Sequence, residues 1–260
     1  MSSTNLSLID LYNRSHRTGK MLLVLQIIAH LSLIPMVVFG SMWHWLGAGI
    51  SYFLLVGVGF SVTYHRLLSH RSWNAPEWFR KVGIVLGALC AIGTPITFVS
   101  QHRYHHRYLD RPKDTYSIVN HPFWFVQWFT MLLPVSLKGA PDLLRDTFCV
   151  WVHKHFMGIH ILTLLSLLVI DPFAVVYLYF VPIAIAWNTV NALNSIAHRR
   201  DYKGSNSSLN RTWLGYVTFG EGWHATHHLQ PRRVNFGSKW WELDLGYYVI
   251  RAFEKRKLHS

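Results

Sequence analysis

The stretch WLGAGISYFLLVGVGFSVTYHRLLSH, residues 45–70, joins the two signals that decide the fold. An uncharged apolar run over residues 45–64 is followed directly by two histidines, His65 and His70. A helix needs about 20 apolar residues to cross the ~30 Å hydrocarbon core of a bilayer. The run therefore predicts a membrane-spanning helix, and we expect both histidines where that helix leaves the membrane.

The whole chain has a composition typical of a membrane protein. Of its 260 residues, 51% are hydrophobic and only 14% are charged, against roughly a quarter charged in soluble domains. Including the stretch above, we predict four spans in one domain (1–260), arranged as two hairpins at residues 21–40, 45–64, 154–170 and 173–197. The third apolar run, 156–170, is short, and its span needs the preceding histidines at the interface.

The basic residues support this topology. There are 25 Lys and Arg against 12 Asp and Glu, a net charge of +13, which in another chain would suggest nucleic-acid binding. Every Lys and Arg lies within residues 1–20, 65–155 or 198–260, and the two turns at 41–44 and 171–172 hold none. Because cytoplasmic segments are enriched in Lys and Arg, we expect segments 1–20, 65–153 and 198–260, and both termini, on the cytoplasmic side. The expected location is a bacterial inner membrane or its equivalent, with no nucleic-acid partner.

The cytoplasmic segments predict a helical cap. Ser72-Trp73-Asn74 can cap a short helix over residues 77–89, and the glycine-containing run 82–101 predicts an interfacial or re-entrant element. The tail sequence KWWELDLGYYVIRAFEKRKL, residues 239–258, has apolar residues at helical spacing. It predicts an amphipathic helix that either lies on the membrane surface or packs on the domain.

Nine of the 17 histidines fall into four groups, all in or beside the expected cytoplasmic segments. They are His65 and His70 in HRLLSH, His102, His105 and His106 in HRYHH, His198 in NSIAH, and His224, His227 and His228 in HATHH. Residues at i, i+3 and i+4 share one face of an α-helix, so each HxxHH set points nitrogens to one side. The i, i+5 pair of HRLLSH is about 140° apart and converges only if its helix ends or loosens near residues 66–69.

This pattern predicts a site for two metal ions. A lone histidine here would be an ordinary interfacial residue, but neutral imidazole is a good ligand for Fe, Zn, Cu and Ni. One zinc needs only three or four ligands, whereas two metals would use all nine. Asn194, one turn before His198, could hold a metal-bound water. A ligating histidine usually donates its other N–H to an acid or carbonyl, which makes Glu221, Asp110 and Asp114 candidates, with solvated surface charge as the alternative.

The motifs HRLLSH, HRYHH, NSIAH and GEGWHATHH, in this order and with two apolar hairpins, resemble those of the membrane fatty-acid desaturases, in particular the delta-9 acyl-CoA/acyl-lipid type. The resemblance covers the chain from about Met21 to the tail. It implies that the nine histidines bind two iron ions and that Asn194 contacts one of them through water.

The resemblance further implies O2-dependent removal of two hydrogens from an acyl chain, with two electrons from a separate donor such as ferredoxin, rubredoxin or cytochrome b5. The residue before His102, often acidic in acyl-CoA members of the family, is Gln101 here, so a CoA, carrier-protein or lipid-linked chain all stay open. Arg103 and Arg107 are candidate headgroup contacts, although snorkelling at the interface is an alternative.

Three other readings stay open at this point. Hydroxylases, acetylenases and oxidative chain-cleaving enzymes use the same histidine scaffold. A histidine-rich membrane protein that binds or transports metal is a second class, but it predicts paired histidines inside the spans, where the runs hold only His30 and His160. A non-catalytic interaction protein is disfavoured because burying unsupported polar groups costs stability.

Overall fold

The computed structural model describes residues 8–198 and 207–255, and this part of the chain is all-helical. Its β-type pairings are two isolated bridges, His198 with Ser208 and Asn210 with Trp223. The α-helices are α1 (Leu8–Leu31), α2 (Leu33–Phe39), α3 (Met42–Tyr52), α4 (Glu77–Leu89), α5 (Pro95–Tyr108), α6 (Phe123–Trp128), α7 (Thr147–Ile170), α8 (Val181–Ser195), α9 (Thr212–Val217), α10 (His224–Leu229) and α11 (Leu245–Phe253). Phe53–Ser69 and Val175–Phe180 are π-helical, and Thr130–Leu132 and Leu137–Gly139 are short 3₁₀ helices.

Four helical stretches of the described residues are long and apolar enough to cross a membrane, as predicted. They are Arg17–Phe39, Met42–Ser69, Thr147–Ile170 and Val175–Ser195. Their lipid-facing side chains are open to the surroundings: Phe39 is 72% exposed and Val169 is 88% exposed. Large apolar surfaces of this kind mark contact with lipid or a partner in folded proteins, so the fold is that of a four-helix integral membrane protein.

Three of these stretches extend beyond the spans expected from hydropathy, and the first does so by beginning at Arg17, before residue 21. The second continues through the basic residue Arg66 to Ser69, because backbone hydrogen bonding does not stop where the apolar run stops. The third begins at Thr147, where the Asp146 side chain accepts a hydrogen bond from the backbone of Cys149 and caps the helix. A kink at His155 (φ −102°, ψ 15°) lies beside the expected start of the span.

Helix α4 packs closely along the π-helical segment of the second span. The contact depends on glycine, since a Cβ on Gly59 would overlap the backbone of Gly87, and a Cβ on Gly83 would overlap the side chain of Thr63. The bounds expected for α4 are confirmed. Its expected side-chain cap is wrong: the helix begins after Pro76 with no side-chain cap bond.

The tail helix is shorter than expected. Helix α11 begins after Asp244, whose carboxylate accepts a hydrogen bond from the backbone N–H of Tyr247. The expectation of helix over residues 239–244 is wrong, because the Glu242 carboxylate instead accepts hydrogen bonds from the backbone of Ser238 and Lys239 and closes a turn. Residues 256–258 of the expected helix lie outside the described residues.

The buried face of α11 packs on the rest of the protein. Ile250 is fully buried in a small apolar cluster with Val62, Trp73 and Phe79. A larger apolar core fills the space between the spans and the cap. At the edge of this core, Phe60 stacks on His65 and Phe98 stacks on His102, so the histidines lie directly on the apolar core.

Candidate metal centre

The two histidines of HRLLSH converge because the helix that carries them is π-helical. In an α-helix each N–H bonds the carbonyl four residues back, whereas in a π-helix it bonds the carbonyl five residues back. The N–H of His70 accordingly donates to the carbonyl of His65 over 3.1 Å. The 140° separation calculated for an α-helix does not apply, and the two Nε2 atoms lie 3.2 Å apart.

The other histidines are positioned by three helix ends. Helix α5, capped by Thr94 through the backbone of Thr97, presents the HRYHH set in its last two turns. His198 follows the end of α8, and the HATHH set forms the short helix α10. All these side chains point into one region between α5, α10 and the end of the second span.

The nine predicted histidines form two groups, and within each group the ligand-capable nitrogens lie within 4.8 Å of one another. The five-histidine group consists of His65, His70, His102, His106 and His227. The four-histidine group consists of His105, His198, His224 and His228. Each HxxHH set is therefore divided between the two groups, and no predicted histidine is left outside them.

The spacing of the nitrogens suits metal coordination. In the five-histidine group the Nε2 atoms of His70 and His102 are 2.7 Å apart, and those of His65 and His227 are 3.0 Å apart. In the four-histidine group His198 and His224 are 3.0 Å apart and His105 and His228 are 3.3 Å apart at the same atoms. A metal–imidazole bond of about 2.1 Å places ligands at right angles about 3.0 Å apart.

Hydrogen bonding alone does not satisfy these nitrogens. Where a carboxylate accepts the proton on Nδ1, a neutral imidazole has only a lone pair on Nε2. This holds for His65, beside Glu221, and for His105, beside Asp114, yet their Nε2 atoms face other imidazole nitrogens. Lone pairs that converge in a buried space need a cation between them, so the donor set fits one metal ion in each group.

Burial keeps the histidines in the form that binds metal. It lowers the pKa of His70 to about 2 and that of His198 to about 3, and the charges of nearby histidines lower both further. Burial likewise lowers the pKa of His102, His106, His224, His227 and His228 well below its usual value. Metal binding requires the neutral imidazole, so these side chains lose no protons when a metal binds at neutral pH.

Glu221 supports the five-histidine group, in line with its predicted role. Its carboxylate is buried, contacts Nδ1 of His65, and accepts a 2.5 Å hydrogen bond from the hydroxyl of Ser61. Burial opposes ionisation, but the neighbouring His65 and then Arg66, with the hydrogen bond from Ser61, outweigh it, so the pKa of Glu221 is lowered. The ionised carboxylate keeps the proton of His65 on Nδ1 and its lone pair on Nε2.

Sequence reasoning missed Arg66, which lies behind Glu221. Its side chain is fully buried, stacks over the ring of Phe236 at 4.0 Å, and donates two hydrogen bonds of 2.9 and 3.0 Å to Asp244. Its Nη2 atom is 3.6 Å from Glu221. Since Asp244 also caps α11, this arginine connects the tail helix to the support of the metal site. The sequence feature that could have identified Arg66 is its position directly after the predicted ligand His65.

Asp114 supports the four-histidine group. Both its carboxylate oxygens lie 3.0 Å from Nδ1 of His105, and it also accepts hydrogen bonds from the backbone of Asp110 and Tyr116. Burial opposes its ionisation, but the neighbouring His105 and these hydrogen bonds together lower the pKa of Asp114. Asp110 has a different contact from the one expected: its carboxylate accepts from Ser117 and so holds the loop.

The remaining predicted residues lie around the cluster. Asn194 lines a narrow slot next to Gln101, and its contact with a metal through water stays a prediction. Arg103 donates to the carbonyls of Leu68 and Ser69 and to Asp142, so a headgroup would have to displace these bonds. Arg107 is exposed over the ring of Tyr108.

One residue near the four-histidine group was also missed. Nδ1 of His198 lies 2.8 Å from the hydroxyl of Ser207, which belongs to a polar stretch after the fourth span. Nothing in that stretch distinguishes Ser207 from its neighbouring serine in the sequence, so no pattern could have identified it.

Comparison with known proteins agrees with this architecture. The family model for fatty acid desaturases matches residues 43–259. The chain is 34% identical over 227 residues to the sn-2 palmitoyl-lipid 9-desaturase of Nostoc sp. (strain 36), covering 81% of this chain and 79% of the relative. It is 31% identical to delta-9 acyl-lipid desaturase 1 of Arabidopsis thaliana over 83% of this chain and 74% of that protein. It is 30% identical to the sn-1 stearoyl-lipid 9-desaturase of Anabaena variabilis, with 82% and 83% covered.

The match includes all four histidine motifs, the third and fourth candidate spans in full, and all of the second span except Met42. It agrees with the resemblance of the histidine motifs to those of the membrane fatty-acid desaturases. It also favours an enzyme over a metal transporter or a non-catalytic interaction protein. The chain therefore belongs to the fatty acid desaturase family and is an oxidoreductase that desaturates fatty acyl chains.

Proposed function

We propose that this desaturase binds two iron ions and uses O2 to introduce a double bond at position 9 of a lipid-linked acyl chain. The observation that carries the proposal is the pair of histidine groups, whose nitrogens converge at separations that suit one metal ion each. The alternatives of a hydroxylase, an acetylenase or a chain-cleaving enzyme share this site and differ in their product.

Iron in the two groups would supply the oxidant for unactivated C–H bonds, chemistry that side chains alone do not provide. Reduction of O2 to two waters takes four electrons. Two come from the C–H bonds of adjacent methylenes and two from an external donor of the ferredoxin, rubredoxin or cytochrome b5 type. Glu221 and Asp114 fix the protons of His65 and His105 on Nδ1, and we assign to Asn194 a water that contacts one of the metals.

The path for the acyl chain is an apolar groove that continues into a buried slot. The outer groove has two parts of about 540 and 370 Å³, which share Pro134, Val135 and Ser136. The slot shares Gln101 and Val135 with this groove and continues between helices α1, α5 and α8. Its cavity is only about 40 Å³, so the side chains along it must rotate before an acyl chain can enter.

Three observations favour a lipid-linked substrate. Relatives at 30–34% identity are named for lipid-linked palmitoyl or stearoyl chains and for position 9. Residue 101, which precedes His102, is the neutral Gln101 at the junction of groove and slot. The slot that continues the groove is lined by residues of the first and fourth spans, within reach of chains that partition into the bilayer. We further propose the topology expected from the charges: termini and cap cytoplasmic, in a bacterial inner membrane or its equivalent.

Expression in a desaturase-deficient bacterium tests the function. We expect membrane lipids whose C16 and C18 chains have lost two mass units, with the double bond at position 9 after derivatisation. A gain of sixteen mass units would instead show that the enzyme is a hydroxylase. His227→Ala should abolish the product and lower the iron content, whereas His155→Ala, at an exposed histidine of α7 outside both groups, should leave both unchanged. Normal product from His227→Ala would refute the site.

A further inference from the structure

An open cleft of about 720 Å³ lies on the face of the cap next to the five-histidine group. Its walls come from the end of the second span, from helix α5 and from the loop that follows α10. The residues that line it are Ser69, His70, Arg71, Arg103, Gln230, Pro231, Arg232 and Arg233. Of these residues, His70 belongs to the five-histidine group and Arg103 is a candidate headgroup contact, and the other six have no role assigned above.

The cleft is strongly basic. Among the described residues its lining contains four arginines and no acid, and Asp142, which is bonded to the cleft from behind, is shared by Arg71 and Arg103. Arg233 is held in place by bonds to Gly237 and Ser238. Arg232 is exposed and forms no ion pair with any of the described residues. Three positive charges are therefore left for a negatively charged ligand.

The cleft is separate from the path of the acyl chain. It shares no lining residue with the slot or with either part of the groove. Arg103 lines the cleft and Gln101 lines the slot, and residues two apart on an α-helix point to nearly opposite sides. The ligand histidine His102 lies between them on α5. A headgroup of the substrate would therefore have to reach around the helix to fill the cleft.

The cleft reaches the metal centre directly. His70 lines its wall and belongs to the five-histidine group, and its Nε2 atom is 2.7 Å from that of His102. A redox group that docks here would thus be separated from the metal site by a single ligand side chain.

We propose that this cleft, with Arg232 at its exposed rim, is the docking site for an acidic electron-donor protein. The proposal rests on the proposed function, which needs two electrons from outside for each turnover. A basic surface speeds association with an acidic partner and makes it dependent on salt. Electrons would then enter through His70 while the acyl chain occupies the opposite face of α5.

The test uses the full-length, iron-loaded protein in lipid nanodiscs and an acidic plant-type [2Fe–2S] ferredoxin as the probe. Ferredoxin binding is measured without turnover, and the KM values for reduced ferredoxin and for the acyl lipid are measured separately. The variants are Arg232→Glu, the conservative Arg232→Lys, and the matched control Arg251→Glu, which makes the same charge change on α11, outside the cleft lining. Thermal unfolding and iron content check that each variant is intact.

We expect Arg232→Glu to weaken ferredoxin binding and raise its KM about five- to tenfold at low salt, with the KM for acyl lipid unchanged. Arg232→Lys and Arg251→Glu should stay within twofold of wild type, and added salt should raise the wild-type KM. Equal ferredoxin KM in Arg232→Glu and Arg251→Glu, no binding to wild type, or a raised KM for the lipid instead, would overturn the docking site. Salt-dependent binding without any desaturated product would count against the proposed function and leave the docking site standing.

Discussion

Replacing Glu221 by Gln should weaken metal binding at the five-histidine group alone. The change removes the charge that fixes the proton of His65 and replaces one of two hydrogen-bond acceptors by an amide N–H donor. Hydrogen bonds to charged groups contribute about 1.5–3 kcal/mol, and loss of such a partner behind a metal ligand lowers metal affinity about 10- to 100-fold. The two estimates agree, since each tenfold is about 1.4 kcal/mol.

Arg66 limits the damage to folding. It keeps its two hydrogen bonds to Asp244 when Glu221 loses its charge, so we do not expect the loss of about 3–5 kcal/mol that follows when a buried ion is left unpaired. Iron content after dialysis against a graded series of chelator concentrations measures the effect. Glu221→Gln should lose one of two irons early, and Asp114→Asn, acting through His105, should lose the other. Two irons retained with wild-type affinity, or both lost together in either variant, would refute the reasoning.

Three further changes test the scaffold and the substrate path. Arg66→Met should lower the free energy of unfolding by about 3–5 kcal/mol, because it leaves buried carboxylates without a counter-charge; thermal unfolding in detergent measures this. Asp142→Asn should destabilise the protein at pH 7, and the difference from wild type should shrink as pH falls below about 4. Burial raises the pKa of Asp142, but hydrogen bonds from the flanking arginines outweigh burial and lower it. The stabilisation from Asp142 is therefore present above its pKa in the unfolded state and is lost as the pH falls through its pKa in the folded state. Unfolding scans from pH 3 to 8 check this sign. Leu22→Trp, which fills the slot from helix α1, should shift the product towards shorter acyl chains in lipid analysis. An unchanged distribution of acyl-chain lengths would show that the acyl chain does not bind in this slot.

The spans and the nine histidines could be predicted because each depends on local sequence. Apolar runs have a length set by the bilayer, and histidines at i, i+3 and i+4 share a helix face. The division of each set between two groups could not be predicted, since it depends on how α5 and α10 pack against each other. For His65 and His70 the sequence gives only the condition that their helix ends or loosens near residues 66–69. The π-helical geometry that meets this condition, in the segment that packs along α4, has no distinct residue pattern.

The residues that support the metal ligands likewise include some that could be predicted from the sequence and some that could not. Glu221 and Asp114 were found because they lie near ligands in the sequence. Asp244 lies 178 residues from its partner Arg66, and no spacing rule connects positions so far apart. The predicted tail helix was too long because the apolar periodicity continues through residues 239–244. In the structure the Glu242 carboxylate accepts a backbone hydrogen bond that closes a turn, and the Asp244 carboxylate accepts one from Tyr247 that caps the start of α11.

The division of the histidines between two groups has a consequence for biosynthesis. Each group combines residues from before the second hairpin with residues of α10, so His227 completes one group and His228 the other. All four spans have been synthesised before either set of ligands is complete. The nascent chain therefore begins to enter the membrane with incomplete ligand sets, and neither group can hold a metal with all its ligands until α10 has been made. We expect metal supply to limit maturation of the inserted protein and to have no part in its insertion.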